Sequence, residues 1–253
     1  MSKATTHTAA TNLGGWLVLA AWPPELAHLR ASLPLPERVQ QRVTLACVGV
    51  GLVEAGIATA RLIDKHQPSA VLLVGTAGVY PRQPAELELD IAAIAGRIRL
   101  LPQILPGKRA YLPAVVPTEA RSTPALARAL RKAAAELPTA DVACPLGITA
   151  TAAAASSAAK LSGCALENLE AFAVARAAAL AKLPFAAILG IANHVGPSGH
   201  REWERHAKSA AQSACQAVLV ALAKIFGYGA HVTRQPAGSK PALAARSNST
   251  SMA

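Results

Sequence analysis

Short, continuous apolar runs alternate with helix-forming segments along most of this chain, and this alternation restricts the possible folds more than any other feature. The clearest run extends from Phe185 to Ala192, contains no polar side chain, and is bounded by Pro184 and by Gly196-Pro197. Such a run is typical of a strand that is buried on both faces. The alternation predicts βαβ units and therefore a three-layer α/β/α fold, with helices on both faces of a mostly parallel sheet.

The same criteria assign the remaining elements. The other predicted strands are Trp16–Ala21, Val43–Gly49, Ala70–Gly75, Asp90–Leu100, Ala110–Val116 and Val142–Ala150. The predicted helices are Pro23–Ala31, Val53–His66, Pro124–Glu136 with Thr123 as N-cap, Thr151–Leu161, Leu169–Lys182 and Glu202–Phe226. The middle strands are short and are interrupted by Pro102, Pro106 and Gly107, which predicts a sheet that is partly curled.

One domain is expected. The chain has 253 residues, of which 52% are hydrophobic, and this is enough for one sizeable core. We predict the domain over residues 13–228. Residues 1–12 are polar and threonine-rich, and residues 229–253 are rich in serine, proline and glycine. Both segments are predicted to be disordered tails.

The formal net charge of +11 does not point to nucleic acid. The basic residues are spread along helices, as at Arg128, Arg131 and Lys132, and no aromatic residues are interleaved with them. The apolar stretch from Leu13 to Trp22 is too short to span a membrane. We therefore expect neither a nucleic acid nor a membrane as partner.

The cysteines are far apart and lack the spacing of metal ligands, so we expect neither a disulfide nor a metal. They are typical of small core residues in a reducing compartment, which favours the cytoplasm. Gly49-Val50-Gly51 follows a predicted strand and opens a helix, but Glu54 stands where a dinucleotide fingerprint has its third glycine. No nucleotide cofactor is predicted.

Two segments place polar groups at the ends of neighbouring elements. In Ala165–Ala175, Glu170 begins a helical run; in Leu189–Pro197, Asn193 follows the apolar strand. The carboxyl ends of strands are where open α/β sheets bind ligands. A third segment, Gly75-Thr76-Ala77-Gly78, forms the turn at the end of another predicted strand.

Together these segments resemble the nucleoside phosphorylase and nucleosidase superfamily, and the resemblance extends from about Trp16 to Phe226. Val79-Tyr80-Pro81 and Asn193-His194-Val195-Gly196 are most similar to the futalosine hydrolases of that superfamily. Ala192 in place of Ser and Leu169 in place of Met depart from the family pattern.

The resemblance implies a role for each site residue. Glu25 and Thr76 would hold the attacking water, with Trp22 lying on the ligand and Gly78 facing the ribose. Glu170 would bind the ribose hydroxyls and stabilise the positive charge that develops on the ring, while Leu169 packs on the sugar. Each residue also has a purely structural interpretation. Glu25 and Glu170 would then be carboxylates that complement the dipole at a helix start, and Thr76 would belong to a tight turn.

Asn193 would select the base. Its carboxamide can donate to a 6-oxo group and accept from a protonated N7, whereas a 6-aminopurine is usually served by Asp. This favours a hypoxanthine nucleoside such as futalosine. The alternative is an asparagine that only caps a turn.

Water is the predicted nucleophile, because the segments around Thr76 and after the first strand contain no arginine to bind phosphate. Arg42 and Arg82 are the residues that would bind phosphate if phosphate were the nucleophile instead. The predicted activity is a futalosine hydrolase-like N-ribosyl hydrolase that needs no cofactor and forms a homo-oligomer. A purine nucleoside phosphorylase, a methylthioadenosine-type nucleosidase and a non-catalytic nucleoside-binding paralogue stay as alternatives.

Overall fold

The computed structural model describes residues 15–32, 41–84, 86–101, 113–134 and 137–226. The predicted tails, 1–12 and 229–253, lie outside these residues. The strands are β1 (Trp16–Ala20), β2 (Val43–Cys47), β3 (Ala70–Val79), β4 (Ala92–Leu101), β5 (Glu119–Arg121), β6 (Thr139–Pro145), β7 (Leu166–Glu167) and β8 (Phe185–His194). A 3₁₀ turn over Pro23–Leu26 leads into α1 (Ala27–Ala31), and the later helices are α2 (Leu52–His66), α3 (Pro124–Ala133), α4 (Ala152–Ser162), α5 (Ala171–Leu180) and α6 (Gly199–Ile225).

All eight strands belong to one sheet, in which β2, β1, β3 and β8 are consecutive parallel neighbours. β3 is ten residues long, and β1 pairs only with its first part, Ala70–Leu73. The second part of β3 is therefore free to pair with β7, through Gly78 and Val79. The extra length of β3 extends the sheet beyond the end of β1.

The sheet curls into a closed ring at this end. β3 pairs with β8, β8 with β4, β4 with β6, β6 with β7, and β7 returns to β3. Most of the pairs in the sheet are parallel, and β3·β7, β4·β5 and β4·β8 are antiparallel. The predicted partly curled, mostly parallel sheet is confirmed.

Helices cover both faces of the sheet. Side chains on a strand alternate between these two faces, so each strand contributes to two cores. On β1, Leu17 and Leu19 face a core that includes α2 and α5, whereas Val18 and Ala20 face a core that includes α1, α3 and α6. The predicted three-layer arrangement is therefore confirmed. None of the helices in the described part of the chain is long and apolar enough to cross a membrane.

Several predicted boundaries were wrong. The predicted strand Ala110–Val116 falls partly outside the described residues, and 113–118 contains no strand; β5 begins only at Glu119. Pro113 and Pro117 explain this, because proline lacks a backbone donor and restricts the residue before it. The strand predicted over Val142–Ala150 ends earlier, at Pro145.

The helices differ less from the prediction. α5 begins at Ala171 instead of Leu169, because Leu166–Glu167 forms the unpredicted strand β7. α6 begins at Gly199, three residues before the predicted Glu202. The strand predicted to end at Ala192 continues to His194, which places Asn193 within β8, opposite Gly78. The strand predicted to end at Gly75 continues to Val79, so Gly75-Thr76-Ala77-Gly78 lies within β3 and does not form the predicted turn.

Candidate active site

Glu25 lies in the 3₁₀ turn directly after β1 and is only 6% exposed. Pro23 and Pro24 begin this turn, where a missing backbone donor costs nothing. Glu25 Oε1 accepts the backbone N–H of Thr76 at 2.9 Å and its hydroxyl at 3.0 Å, and Oε2 accepts Ala21 N–H at 3.1 Å. The turn thus carries a buried carboxylate to the end of β3.

Burial raises the pKa of Glu25 to about 7, and the nearby charge of Glu170 contributes in the same direction. The hydrogen bonds from Thr76 and Ala21 oppose this rise. A carboxyl group with a pKa near neutrality can accept or release a proton at physiological pH. Gly75 permits the close approach, since a Cβ at this position would lie 3.2 Å from Glu25 Oε1.

Glu170 precedes α5 and is also buried. Its Oε1 accepts Gly51 N–H at 2.8 Å, and its Oε2 accepts Asn168 Nδ2 at 3.0 Å. Gly51 has a φ of 89°, a left-handed conformation that glycine adopts at no steric cost. Burial raises the pKa of Glu170, while the donors from Gly51 and Asn168 oppose it.

Asn168 links Glu170 to Thr76, the partner of Glu25, and the sequence alone did not assign it to the site. Its Nδ2 donates to Glu170 Oε2 and to Thr76 O, each at 3.0 Å. Its Oδ1 accepts the backbone N–H groups of Glu170 and Ala171 and so caps the start of α5. The available signal was an asparagine just before a helix, the residue type that most often satisfies such donors.

Gly78 and Asn193 are paired on β3 and β8, next to a register shift after Ala77. A Cβ on Gly78 would lie 2.9 Å from Asn193 Nδ2, so only glycine leaves room for this carboxamide. Asn193 is half-buried, and its Nδ2 donates to the carbonyl oxygen of His194 at 3.0 Å. This bond fixes which end of the carboxamide carries the nitrogen.

Glu202 organises the segment that follows Asn193. Its carboxylate accepts His194 N–H at 2.7 Å and the Ser198 hydroxyl at 2.7 Å, and it lies 2.9 Å from His194 Nδ1. Burial acts to raise the pKa of Glu202, but these partners outweigh it and lower the pKa to about 2. The turn from β8 into α6 is therefore held by an ionised carboxylate.

Aromatic rings line the mouth of the site. Trp22, which is 38% exposed, stacks on Trp203 with 5.8 Å between ring centroids, and His200 lies on Trp203 at 6.3 Å. The indole Nε1 of Trp203 donates to Thr76 Oγ1 at 3.3 Å. The site thus includes Trp203, which the sequence alone did not assign to it.

A second buried carboxylate network lies beside the first. Glu167 accepts the Tyr80 hydroxyl and the Thr149 hydroxyl, each at 2.6 Å, and Thr149 N–H at 3.0 Å. Burial and the bond to Glu167 raise the pKa of Tyr80. This network anchors the segment after β6, on which Leu146 and Ile148 are exposed.

Three of the predicted site residues share one network, whereas Gly78 and Asn193 lie near the paired ends of β3 and β8, and no hydrogen bond among the described residues joins Asn193 to that network. Glu25, Thr76 and Glu170 share one hydrogen-bond network through Asn168; Trp22 adjoins it through Trp203. Leu169 is half-buried between Asn168 and Glu170.

The two arginines considered for phosphate lie elsewhere. Arg42 lies at the amino end of β2, where its carbonyl accepts Trp16 N–H and its guanidinium covers the Phe226 ring at 5.9 Å. Arg82 is exposed in the turn after β3. Within the described ranges, neither Glu25 nor Glu170 forms an ion pair, and no group of three or more His, Cys, Asp or Glu side chains is arranged to hold a metal.

Solved structures with the same fold include several nucleosidases. The futalosine hydrolase of Helicobacter pylori strain 26695 is 12% identical, with a TM-score of 0.75 over 84% of this chain and 98% of that one. A 5'-methylthioadenosine/S-adenosylhomocysteine nucleosidase from Colwellia psychrerythraea, in complex with adenine, is 21% identical, with a TM-score of 0.73 over 83% and 95%. The corresponding enzyme from Neisseria meningitidis, in complex with methylthio-immucillin-A, is 18% identical, with a TM-score of 0.72 over 84% and 100%.

No curated protein sequence matches the chain significantly. The family comparison, in contrast, matches the Phosphorylase superfamily over residues 18–224, which include every strand from β2 to β8 and all of the site described above. On that match, the chain belongs to the Phosphorylase superfamily.

Proposed function

We propose that this protein is an N-ribosyl hydrolase that cleaves the N-glycosidic bond of a 6-oxopurine nucleoside, with futalosine as the substrate and hypoxanthine as the released base. This reaction would place it in menaquinone biosynthesis. The observation that carries the proposal is the pair of buried carboxylates, Glu25 and Glu170, held together through Thr76 and Asn168.

Glu170 suits the ribose. Cleavage of an N-glycosidic bond develops positive charge on the sugar ring, and a carboxylate in a water-poor site stabilises that charge strongly. Its oxygens are held by Gly51 and Asn168, so the charge is positioned before substrate arrives. Leu169, the neighbouring residue, supplies an apolar surface for the sugar, and Gly78 keeps the approach to the ribose open.

Glu25 suits the nucleophile. A pKa of about 7 lets the carboxylate take a proton from water near neutral pH, which is the property of an efficient general base. Trp22 would cover this end of the substrate from the mouth of the site.

Asn193 suits a 6-oxopurine. One N–H of its carboxamide is held by the carbonyl of His194, which leaves the second N–H and Oδ1 for the base. A donor and an acceptor side by side match O6 and a protonated N7 of hypoxanthine. Gly78 provides the space for this contact.

Water fits the site better than phosphate does. Glu25 already occupies the backbone N–H and the hydroxyl of Thr76, which are the donors a phosphate at this strand end would use. A phosphate dianion beside two buried carboxylates would also meet strong repulsion, which arginines normally relieve.

We therefore expect base release without phosphate. The protein would be incubated with futalosine, inosine and methylthioadenosine, with and without phosphate, while the base and the sugar product are followed by chromatography. Hypoxanthine and a free reducing sugar should form from futalosine in phosphate-free buffer.

A strict need for phosphate, with a ribose 1-phosphate product, would make the protein a phosphorylase. Preference for methylthioadenosine would make it a nucleosidase of that class, and binding of all three without cleavage would make it a nucleoside-binding paralogue.

We also propose that the protein acts in the cytoplasm as a homo-oligomer. At the start of α2, Val50, Val53 and Ile57 are each more than half exposed and form an apolar face. Between them, Gly51 binds Glu170, so a second copy on this face would adjoin the ribose site.

Charges on this face should dissociate the oligomer. Val53→Glu combined with Ile57→Glu is expected to reduce the mass in solution to that of one chain, measured by light scattering after gel filtration. Val115→Glu is the matched control, because Val115 is 90% exposed and precedes β5, at the other end of the strand order. A wild-type protein that is already monomeric would contradict the proposal.

A further inference from the structure

Three side chains form a directed chain of hydrogen bonds from the mouth of the site to its buried carboxylate. Trp203 Nε1 lies 3.3 Å from Thr76 Oγ1, which lies 3.0 Å from Glu25 Oε1. An indole N–H is only a donor, so the Thr76 oxygen must accept from it. The single hydroxyl proton of Thr76 is then left to donate to Glu25.

The direction of these hydrogen bonds determines which carboxylate oxygen of Glu25 can still accept a donor. Oε1 accepts both the hydroxyl and the backbone N–H of Thr76, which uses the two lone-pair positions of that oxygen. Among the described residues, Oε2 accepts only Ala21 N–H and so retains the capacity to accept one more donor. Oε2 is therefore the atom that can take a proton from water.

Stacking holds the indole of Trp203 in the orientation that its hydrogen bond to Thr76 requires. The ring of Trp22 stacks on Trp203 with 29° between the ring planes, and the ring of His200 is near-parallel to Trp203 with 9° between the planes. α6 supplies both Trp203 and His200, and the carboxylate of Glu202 fixes the start of the same helix. The indole thus contacts rings from two elements, the segment after β1 and α6 itself.

We propose that Trp203 is a positioning residue for hydrolysis: its indole N–H fixes the Thr76 hydroxyl as a donor to Glu25 Oε1 and so reserves Oε2 for the attacking water. This inference rests on the proposed function. If Trp203 only covered the site, its ring would be required but its indole N–H would not.

The groups around Glu25 allow a pH test. Its carboxylate faces the donors of Thr76 and Ala21 and the like charge of Glu170, while Cys215 contacts only its backbone carbonyl. Among the described residues, no cation pairs with Glu25. Loss of a well-directed donor therefore raises the pKa of Glu25, because only donors counteract burial and Glu170.

Trp203→Phe removes the N–H and keeps a ring for the stack. In the wild type, kcat/KM should fall as the pH drops through about 7, where Glu25 becomes protonated. In Trp203→Phe this acid limb should move to higher pH by about 0.5 to 1 unit, and kcat should fall more than KM rises. Trp16→Phe is the matched control, because Trp16 lies at the amino end of β1, whereas Glu25 follows its carboxyl end; it should leave the limb in place.

A double-mutant cycle tests whether the effect passes through Thr76. Trp203→Phe should add nothing in a Thr76→Val background, in which the hydroxyl is already missing. An additional loss of kcat in that background, or an unmoved acid limb in the Trp203→Phe single variant, would overturn the inference in favour of simple packing.

A measurement without substrate separates this inference from the proposed function. Carbon NMR of glutamate-labelled protein, with the Glu25 signal assigned from Glu25→Gln, reports the pKa of Glu25 directly. The pKa should be higher in Trp203→Phe than in the wild type whether or not a nucleoside is cleaved. An equal pKa in both proteins would overturn the coupling, whereas absent hydrolysis with a shifted pKa would overturn only the activity.

Discussion

Glu170→Gln is expected to slow base release by at least ~100-fold, which corresponds to about 2.7 kcal/mol of lost transition-state stabilisation. The change removes the negative charge beside the ribose. It should also lower the pKa of Glu25, because the charge of Glu170 is one of the causes that raise it. The acid limb of kcat/KM should therefore move to lower pH, opposite to the shift expected for Trp203→Phe.

Glu170→Gln also removes a hydrogen bond, so it is expected to lower stability as well as activity. Both oxygens of Glu170 accept from donors, Gly51 N–H and Asn168 Nδ2, and a glutamine amide can offer an acceptor to only one of them. The unpaired donor should cost about 1 to 3 kcal/mol of stability, which a melting curve will measure. Glu204→Gln, at an exposed position on α6, is the matched control for activity and stability. Near-normal turnover in a folded Glu170→Gln protein would refute the assignment of this residue.

Long apolar strands and the layers around them were predictable from the sequence, whereas the closure of the sheet was not. β1, the first part of β3 and β8 as far as Ala192 are continuous apolar runs, which is the pattern of a buried strand. β7 has only two residues and gives no periodic signal, yet it closes the ring between β3 and β6. Its position depends on register between distant segments, which local patterns do not encode.

In the site, the sequence indicated the carboxylates, Thr76 and Asn193, but not Asn168 and Trp203, which join the carboxylates and Thr76 into a network. Glu170 and Asn193 were predicted because each begins or follows an element, whereas Glu25 was assigned to the site through the resemblance to the nucleoside phosphorylase and nucleosidase superfamily. The bond from Asn168 to Thr76 joins residues 92 positions apart, and the bond from Trp203 to Thr76 joins residues 127 apart. The antiparallel pairing of β7 with β3 produces the first contact, and the packing of α6 against β3 and β8 produces the second, so both become visible only when the sheet is assembled.

Asn193→Asp is expected to shift preference from 6-oxopurines towards 6-aminopurines. In the wild type the carboxamide presents a donor that suits O6, and a 6-amino group would place a donor against it. An unpaired buried donor costs about 1 to 3 kcal/mol, or roughly tenfold to a hundredfold in selectivity. The measurement is kcat/KM for futalosine and for its 6-amino analogue with both proteins.

The absolute rate of Asn193→Asp should also fall, for a reason specific to this site. Asn193 Nδ2 donates to the carbonyl oxygen of His194, and an ionised Asp in the same orientation would place one oxygen against another. The new carboxyl group must bind a proton or rotate, and a protonated Asp can donate to N7 while accepting from a 6-amino group. Asn193→Ala serves as the control, because it removes both functions and should lower both rates without reversing their ratio. An unchanged ratio in Asn193→Asp would mean that Asn193 does not contact the base and acts only as the residue that closes the turn after β8.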